Sequence, residues 1–300
     1  MDPTLKSRTV ARLKVDLERF TPRMQLAAKY VLDNPVEFGL DPIRETARKA
    51  GVSTYTLVRI AEHLGFDGFE EFRAPFRHAL LSAGASADRP GWVAGLRARG
   101  EAGRFQADVS ANALSIVERS LERLGPETLD RAAEILMSAR RVYVTAVRAS
   151  FAMAYYFHYV GRMAVPSLRL IPRHMGSAVD DLNEAGPEDA MLAITVAPYS
   201  RETIEACEFA QDKGLRLVLV SDSDVVAPGL KPDAVMVVST LSEHHFGCYT
   251  GIVAVLEVLL ARLVRDGGAP ARARIESYEA LRTRHNVYWS RAKTRAGRQG

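Results

Sequence analysis

Residues 43–66 constrain the fold more than any other stretch, and they read IRETARKAGVSTYTLVRIAEHLGF. Apolar residues recur at helical spacing on both sides of Gly51, which favours two short amphipathic helices. Gly51 suits the end of the first helix because glycine readily adopts a positive φ, and Ser53 suits the N-cap of the second. Ala47 is small enough for the helices to approach closely. The stretch is therefore predicted to form a helix, a short turn and a second helix.

This spacing is typical of the DNA-binding helix-turn-helix, whose second helix reads base pairs in the major groove. The exposed start of the second helix carries hydroxyl groups, an aromatic ring and a guanidinium, which suit phosphates and base edges. The predicted DNA-binding residues are Ser53, Thr54, Tyr55, Thr56 and Arg59. The alternative interpretation is an ordinary helical hairpin with a polar, solvated face.

The rest of the N-terminal region also has helical patterns, so residues 1–82 are predicted to form an all-α domain. Residues 83–104 are rich in Ala, Gly, Ser, Asp and Pro and contain few large apolar side chains. This composition predicts a linker, with local order at most around residues 92–96.

Residues 105–268 begin with two helical patterns and then alternate short apolar runs with helices. Alternation of this kind predicts a parallel sheet flanked by helices on both faces. Such sheets bind ligands at the carboxyl ends of their strands. Residues 269–300 are predicted to be a C-terminal helix and a basic tail. The five predicted strands are 142–146, 167–171, 191–196, 215–220 and 234–238.

Charge and hydropathy limit the class of protein. The net charge is +4, with basic residues in excess at both ends and acidic residues in excess between them. The basic tail either adds phosphate contacts or is a solvated helix end. No apolar run approaches the roughly 20 residues of a membrane span, and the charged N-terminus does not resemble a secretion signal. Cys207 and Cys248 lie too far apart for a metal or redox motif. We expect a cytoplasmic protein without a cofactor.

Two strand-to-helix turns carry hydroxyl groups where an anion could bind. Ser150 follows the first predicted strand and Ser200 follows the third, each at the start of a helix. The free amides and the dipole at a helix start favour a negative group. N-capping alone would also explain both serines.

Residues 1–80 resemble the N-terminal domain of the RpiR-type bacterial transcription regulators. The resemblance lies in the runs YVLDNP (30–35), ARKAGVSTYTLVR (47–59) and LGFDGFEEF (64–72). Residues 105–265 resemble the SIS (sugar isomerase) domain, a phosphosugar-binding fold. The paired resemblance implies an all-α helix-turn-helix domain followed by an α/β SIS domain with a parallel five-stranded sheet.

The SIS resemblance is imperfect at both turns. That domain usually has G-x-G-x-S at the first turn, where this chain has Ala146 and Arg148 in place of the glycines. At the second turn, usually S-x-S-G-x-T-x-E, Ala197 and Pro198 replace Ser and Gly. Lost glycines weaken a phosphate cradle, whereas an arginine supplies a cation with a bidentate grip. The predicted effector-binding residues are Arg148, Ser150, Thr195, Ser200 and Glu243.

Glu243, His244 and His245 precede the last long apolar helix, in the region where SIS isomerases place acid–base residues. They are expected to line a pocket or a dimer interface. The alternatives are a catalytic role or a metal site with Cys248. Against the metal site, two adjacent histidines on a helix or strand point in different directions and cannot both bind one metal ion. We predict no catalytic and no metal-binding residues.

The predicted function is a DNA-binding transcriptional regulator whose SIS-like domain senses a small anionic metabolite, a phosphosugar or a carboxylate. It is expected to bind a palindromic operator as a homodimer or homotetramer. The alternative is a SIS-type sugar-phosphate isomerase with an accessory helical domain, and a third interpretation is an RNA-binding or scaffolding protein. The replacement of glycine and serine residues at the two turns argues against the isomerase.

Overall fold

The computed structural model describes residues 5–83, 91–174, 176–227, 229–242 and 246–289. Its N-terminal part is helical, and Phe38, Phe72 and Phe76 are fully buried in the core of this part. The rings of Phe38 and Phe76 meet edge to face, with centroids 4.9 Å apart, which aromatic pairs favour. The helices are α1 (Leu5–Asp16), α2 (Pro22–Asp33), α3 (Pro35–Leu40), α4 (Ile43–Ala50), α5 (Thr54–His63) and α6 (Phe69–Ala83).

The segment predicted as a linker contains more regular structure than expected. Helix α7 (Gly91–Arg97) and helix α8 (Gly100–Arg123) form a hairpin there, and α8 begins five residues before the predicted domain start at 105. Val93 is buried, and a Cβ added to Gly103 would lie 2.2 Å from the Leu96 carbonyl oxygen. The small residues that suggested a linker therefore allow two helices to pack closely. The domain boundaries themselves stay a prediction.

The C-terminal part is a parallel five-stranded sheet with helices on both faces, which confirms the predicted fold class. The strand order is β2-β1-β3-β4-β5, and every neighbouring pair is parallel. Separate apolar clusters cover the two faces of the sheet. The elements are α9 (Pro126–Ser138), β1 (Val142–Thr145), α10 (Phe151–Gly161), β2 (Leu168–Ile171), α11 (Ala178–Asp181), β3 (Ala190–Ile194), α12 (Arg201–Asp212), β4 (Arg216–Ser221), β5 (Ala234–Val237), α13 (Thr250–Asp266) and α14 (Gly268–Arg284).

The helical part rests against the carboxyl end of this sheet. The ammonium of Lys29 on α2 donates a 2.8 Å hydrogen bond to the carbonyl oxygen of Val225, which follows β4. Lys14 on α1 pairs with Asp224 in the same loop. The part of the protein predicted to bind DNA thus contacts the edge of the sheet where ligands of such folds bind. In the described ranges, no helix has an apolar run long enough to cross a bilayer.

Candidate DNA interface and effector site

The turn between α4 and α5 has the geometry that its sequence predicts. Gly51 ends α4 with a φ of 66°, and the Val52 amide donates to the Ala47 carbonyl oxygen at 3.0 Å. The Ser53 side chain then accepts a 3.2 Å hydrogen bond from the Thr56 amide, which caps α5. The start of α5 is therefore held in a defined position.

Helix α5 buries one face and exposes the other. Leu57, Ile60 and Ala61 are fully buried against the helical core. Tyr55 is 68% exposed, and Arg59, one turn further along, is also exposed. Among the described residues, the Arg59 guanidinium has neither a hydrogen bond nor an ion pair. All five predicted DNA-binding residues lie at or near this surface, where Ser53 and Thr54 are exposed and Thr56 is half-buried.

The cations around this face differ in their freedom to contact phosphates. Arg48 is bound to Glu45 and Lys49 is bound to Glu37. Arg44, at the start of α4, is exposed and has no acidic partner in the part of the chain that the structure describes. Arg44 is not among the DNA-binding residues predicted from the sequence, although its position on the polar face of the first helix could have suggested it.

The turn after β1 keeps a left-handed backbone without a glycine. Arg148 has a φ of 56°, a conformation that costs an ordinary residue roughly 1–2 kcal/mol. It stands where the SIS pattern has its second glycine, so the chain retains the turn and adds a guanidinium to it. The Arg148 side chain is 74% exposed and points its charge outside the fold.

The two serines do not act as side-chain N-caps, which removes the simpler explanation for them. The Ser150 hydroxyl is buried and lies 3.3 Å from the hydroxyl of Tyr249. The Ser200 hydroxyl donates to the carboxylate of Glu202. Thr195 is buried at the end of β3.

The carboxylate of Glu202 brings two of the predicted effector residues together. One of its oxygens accepts from Ser200, and the other lies 3.4 Å from a guanidinium nitrogen of Arg148. The hydrogen bond from Ser200 and the charge of Arg148 both lower the pKa of Glu202. Arg148 in the turn after β1 and Ser200 in the turn after β3 thus contact the same anion, the Glu202 carboxylate of the chain itself. Glu243, the fifth predicted residue, and the neighbouring His244 and His245 lie outside the described residues.

The turn after β3 also holds a second carboxylate that sequence reasoning missed. Both oxygens of Asp222 lie 3.2 Å from the amide of Ala197, the residue that replaces a serine of the SIS pattern. Burial raises the pKa of Asp222, and the charge of Asp33 on α2 raises it further. No sequence signal joins Asp222 to Asp33, because their proximity depends on how the two parts pack.

A cavity of about 340 Å³ lies where the helical part meets the sheet. One wall is the corner between α2 and α3, a second is α8, and the third is formed by loops after β3, β4 and β5. None of Arg148, Ser150, Thr195 and Ser200 lines it. Its polar lining residues include Asp33, Asn34, Arg119, Arg123, Asp222 and Thr240.

Family models of two known domains match the chain and show which class of protein it belongs to. Residues 8–82 match the model of the helix-turn-helix domain of the rpiR family, and residues 135–265 match the SIS domain. The chain therefore joins a DNA-binding type of helical domain to a sugar isomerase type of α/β domain. This pairing places it among the RpiR-type transcriptional regulators, the family that the sequence resemblance predicted.

Individual relatives are distant. The chain is 26% identical over 263 residues to the bifunctional protein glk of Burkholderia orbicola, covering 87% of this chain but only 40% of that protein. It is 22% identical over 215 residues to an uncharacterised HTH-type transcriptional regulator of Providencia stuartii, covering 72% of this chain and 74% of that one. The chain thus spans less than half the length of the glk relatives.

Two solved structures share the fold. The sugar isomerase domain of an RpiR transcription factor from Sphaerobacter thermophilus has a TM-score of 0.55 and 24% identity, covering 59% of this chain and 99% of that one. The Vibrio vulnificus NanR protein complexed with ManNAc-6P has a TM-score of 0.55 and 16% identity, covering 92% of this chain and 98% of that one.

Proposed function

We propose that this regulator binds a palindromic operator through the exposed face of α5. A small anionic metabolite controls its affinity for this operator. The protein acts in the cytoplasm as a homodimer or homotetramer, so that two copies of α5 meet two half-sites of one duplex. The metabolite is a phosphosugar or a carboxylate, and it binds at the turns after β1 and β3.

The observation that carries the DNA-binding proposal is the guanidinium of Arg59, which has no partner among the residues that the structure describes. A charged group that is exposed and unpaired on a capped, well-held helix is available to a base edge or a phosphate. Tyr55 lies one turn before it on the same face and offers a ring for contact with a base or sugar. The neighbouring Arg44 adds a phosphate contact from α4.

The engagement of Arg148 and Ser200 by Glu202 supports an anionic effector. A carboxylate of the chain takes the position in which both groups converge, and a free anion would compete with it for the same partners. NanR of Vibrio vulnificus, which shares the fold, was solved with ManNAc-6P. This supports a phosphorylated sugar as the first class of ligand to test.

The DNA-binding proposal is tested by selecting an operator from random duplexes and measuring its affinity for Arg59→Ala. Loss of one base-reading arginine is expected to lower the ratio of operator to random affinity roughly five- to 150-fold. Arg77→Ala is the matched control, because it removes the same charge from an exposed position on α6. An unchanged ratio in Arg59→Ala would remove Arg59 from base readout.

The effector proposal is tested by thermal shift with phosphosugars and small carboxylates. Arg148→Ala is expected to reduce the ligand-induced rise in Tm, and Glu202→Gln to increase it by freeing Arg148 and Ser200. Arg201→Ala is the control, because Arg201 lies on α12 next to Glu202 but pairs with Glu205. Equal stabilisation of the wild type and Arg148→Ala would refute the role of Arg148.

We also propose that the chain is a regulator without isomerase activity. At the turn after β3, the Ala197 amide donates to the Asp222 carboxylate and the Ser200 hydroxyl donates to the Glu202 carboxylate, so these donors are already occupied and do not form the open backbone cradle that phosphate chemistry uses. Purified protein is expected not to convert phosphosugars. Turnover that is abolished by a substitution at Ser200 or Glu202 would contradict this.

A further inference from the structure

Two pairs of opposite charges join the helical part to the loop between β4 and β5. Lys14 on α1 pairs with Asp224 of this loop. Glu18, just after α1, has a carboxylate oxygen 3.5 Å from the ammonium of Lys231, at the other end of the loop. Opposite charges attract across a contact of this kind. Both pairs therefore hold the loop against the helical part.

A third place in the same contact brings two like charges together. Asp33, at the end of α2, and Asp222, directly after β4, line the same cavity. Burial raises the pKa of Asp222, and the charge of Asp33 raises it further. Two carboxylates that share a partly dry site repel each other, and the repulsion ends when one of them takes up a proton. The docked arrangement is therefore strained at this place whenever both groups are ionised.

The cation beside Asp33 satisfies only half of its carboxylate. The Lys29 ammonium donates to one oxygen of Asp33 at 2.8 Å and to the Val225 carbonyl oxygen at 2.8 Å. It also lies 4.5 Å from the centre of the Tyr199 ring. The second oxygen of Asp33 is buried and has no hydrogen-bond partner in the part of the chain that the structure describes. Asp33 therefore lacks one donor.

The groups around Asp222 do not neutralise its charge. Its oxygens accept from the Ala197 amide and from the Ser221 hydroxyl, and both donors are neutral. Burial raises the pKa of Tyr199, and the charges of the two carboxylates add to this effect, so this phenol keeps its proton. Within the described ranges, the other charged residues of the cavity wall form no hydrogen bond or ion pair with either aspartate, and they are Glu37, Arg119 and Arg123.

We propose that one proton shared between Asp222 and Asp33 holds the helical part onto the sheet, so that the two parts dock more tightly as the pH falls. The proton comes from solvent and adds to one oxygen of Asp222. The new O–H donates to the unpaired oxygen of Asp33, while the other oxygen of Asp222 still accepts from the Ala197 amide. A hydrogen bond across the contact thus replaces a repulsion and an unsatisfied acceptor.

The direction follows from linkage. Asp222 binds a proton more tightly in the docked state, where it is buried beside Asp33, than it does when the two parts separate and water reaches it. The docked state is therefore favoured at low pH, and this gain is lost as the pH rises through the raised pKa of Asp222.

The proton is an input to the regulator that is distinct from the metabolite. Helix α2, which carries Asp33, packs against α5, so docking of α2 also fixes the position of the predicted recognition helix. Looser docking at higher pH gives α5 more freedom relative to the sheet. The docking itself stands without the proposed function, and only its effect on the operator rests on that function.

The test measures hydrogen exchange of residues 222–226 in the full chain between about pH 5 and about pH 8, at and above the ordinary aspartate range. Each rate is divided by that of the unfolded chain at the same pH, which removes the intrinsic pH dependence of exchange. Protection in the wild type is expected to fall as the pH rises, by at most about tenfold per pH unit, the limit for one proton. In Asp222→Asn and in Asp33→Asn, the amide supplies the missing donor at every pH, so protection is expected to stay high and constant.

Asp224→Asn is the matched control, because it removes a carboxylate of the same loop that already has a lysine partner. It is expected to lower protection equally at every pH and to keep the wild-type slope. Each asparagine variant at the pair tests the inference alone, so misfolding of one leaves the other decisive.

Wild-type protection that is constant or rises with pH would overturn the inference. So would a wild-type slope that persists in Asp222→Asn or Asp33→Asn, because the titrating group would then be another one, such as His63 beside Asp16. The measurement uses no DNA. Failure of operator selection with pH-dependent protection intact would therefore count against the proposed function alone, and the reverse result would count against this inference alone.

Discussion

Substitution of Gly251 tests whether α8 and α13 pack as closely as the structure shows. A Cβ built on Gly251, in the first turn of α13, would lie 2.2 Å from the Ser120 hydroxyl oxygen and 2.9 Å from the Ser239 carbonyl oxygen. The Ser120 hydroxyl is buried, donates to the Ile116 carbonyl oxygen at 2.6 Å and accepts from the Ser239 amide at 2.9 Å. Gly251→Ala must therefore displace this hydroxyl or separate the helices.

Both routes destabilise the protein. Displacing the hydroxyl leaves the buried Ser239 amide unpaired, at about 1–3 kcal/mol, and separating the helices costs a similar amount. Alanine recovers at most about 1 kcal/mol through its higher helix propensity. We expect Gly251→Ala to lower the free energy of unfolding by about 1–2 kcal/mol in urea titrations. Gly95→Ala is the control, because its Cβ would meet nothing within 4 Å, and it is expected to be neutral or slightly stabilising.

A double-mutant cycle with Ser120→Ala identifies the cause. Ser120→Ala alone removes the acceptor of the Ser239 amide, but it also removes the atom nearest to the new methyl group. The double variant is therefore expected to be more stable than the sum of the single effects predicts, by more than about 1 kcal/mol. Additivity within about 0.5 kcal/mol, or a neutral Gly251→Ala, would refute this account of the packing.

Three further predictions concern the N-cap of α5, the left-handed turn and the buried carboxylate of Asp189, which pairs with Arg140. Ser53→Ala removes the cap of α5 and is expected to cost about 1 kcal/mol of stability in urea titrations, with weaker operator binding in gel retardation. Arg148→Gly relieves the left-handed backbone, so thermal melts are expected to show unchanged or slightly higher stability while anion binding weakens. Burial opposes ionisation of Asp189, but hydrogen bonds from Arg140 and the Gly186 amide lower its pKa overall, below the ordinary value of an aspartate. The stabilisation is fully present above the pKa of the unfolded chain and is lost as the pH falls through the lower pKa of the folded protein. Asp189→Asn is therefore expected to lower the free energy of unfolding at pH 7 and to approach the wild type in acid.

Local patterns predicted most of the elements because each pattern has a direct physical cause. The proline at the first turn and the Asn-Pro stop explain the two ends of α2 at Pro22 and Asp33. The strands are short and mostly apolar, because a parallel sheet covered on both faces buries both sides of a strand. The helical face of α5 follows from the spacing of Leu57, Ile60 and Ala61.

The misses concern long-range packing. A Gly- and Ala-rich segment is compatible with a linker or with a close helix hairpin, and only the contact of Gly103 with Leu96 distinguishes them. The hydrogen bond from the Ala197 amide to Asp222, for example, joins two residues that are far apart in sequence. The backbone at Arg148 shows the opposite case. The sequence pattern suggested a lost glycine turn, but the chain keeps the left-handed conformation.

The central claim is that the outward face of α5 lies in the major groove of the operator. Photocrosslinking tests it most directly, with benzoylphenylalanine in place of Tyr55 in one protein and of Tyr155 in another. Both side chains are exposed, at 68% and 52%, but Tyr155 lies on α10 of the SIS domain. We predict a crosslink from position 55 to operator DNA, competed away by unlabelled operator, and none from position 155. The claim would be contradicted if the protein bound the operator but the crosslink formed from position 155 and not from position 55.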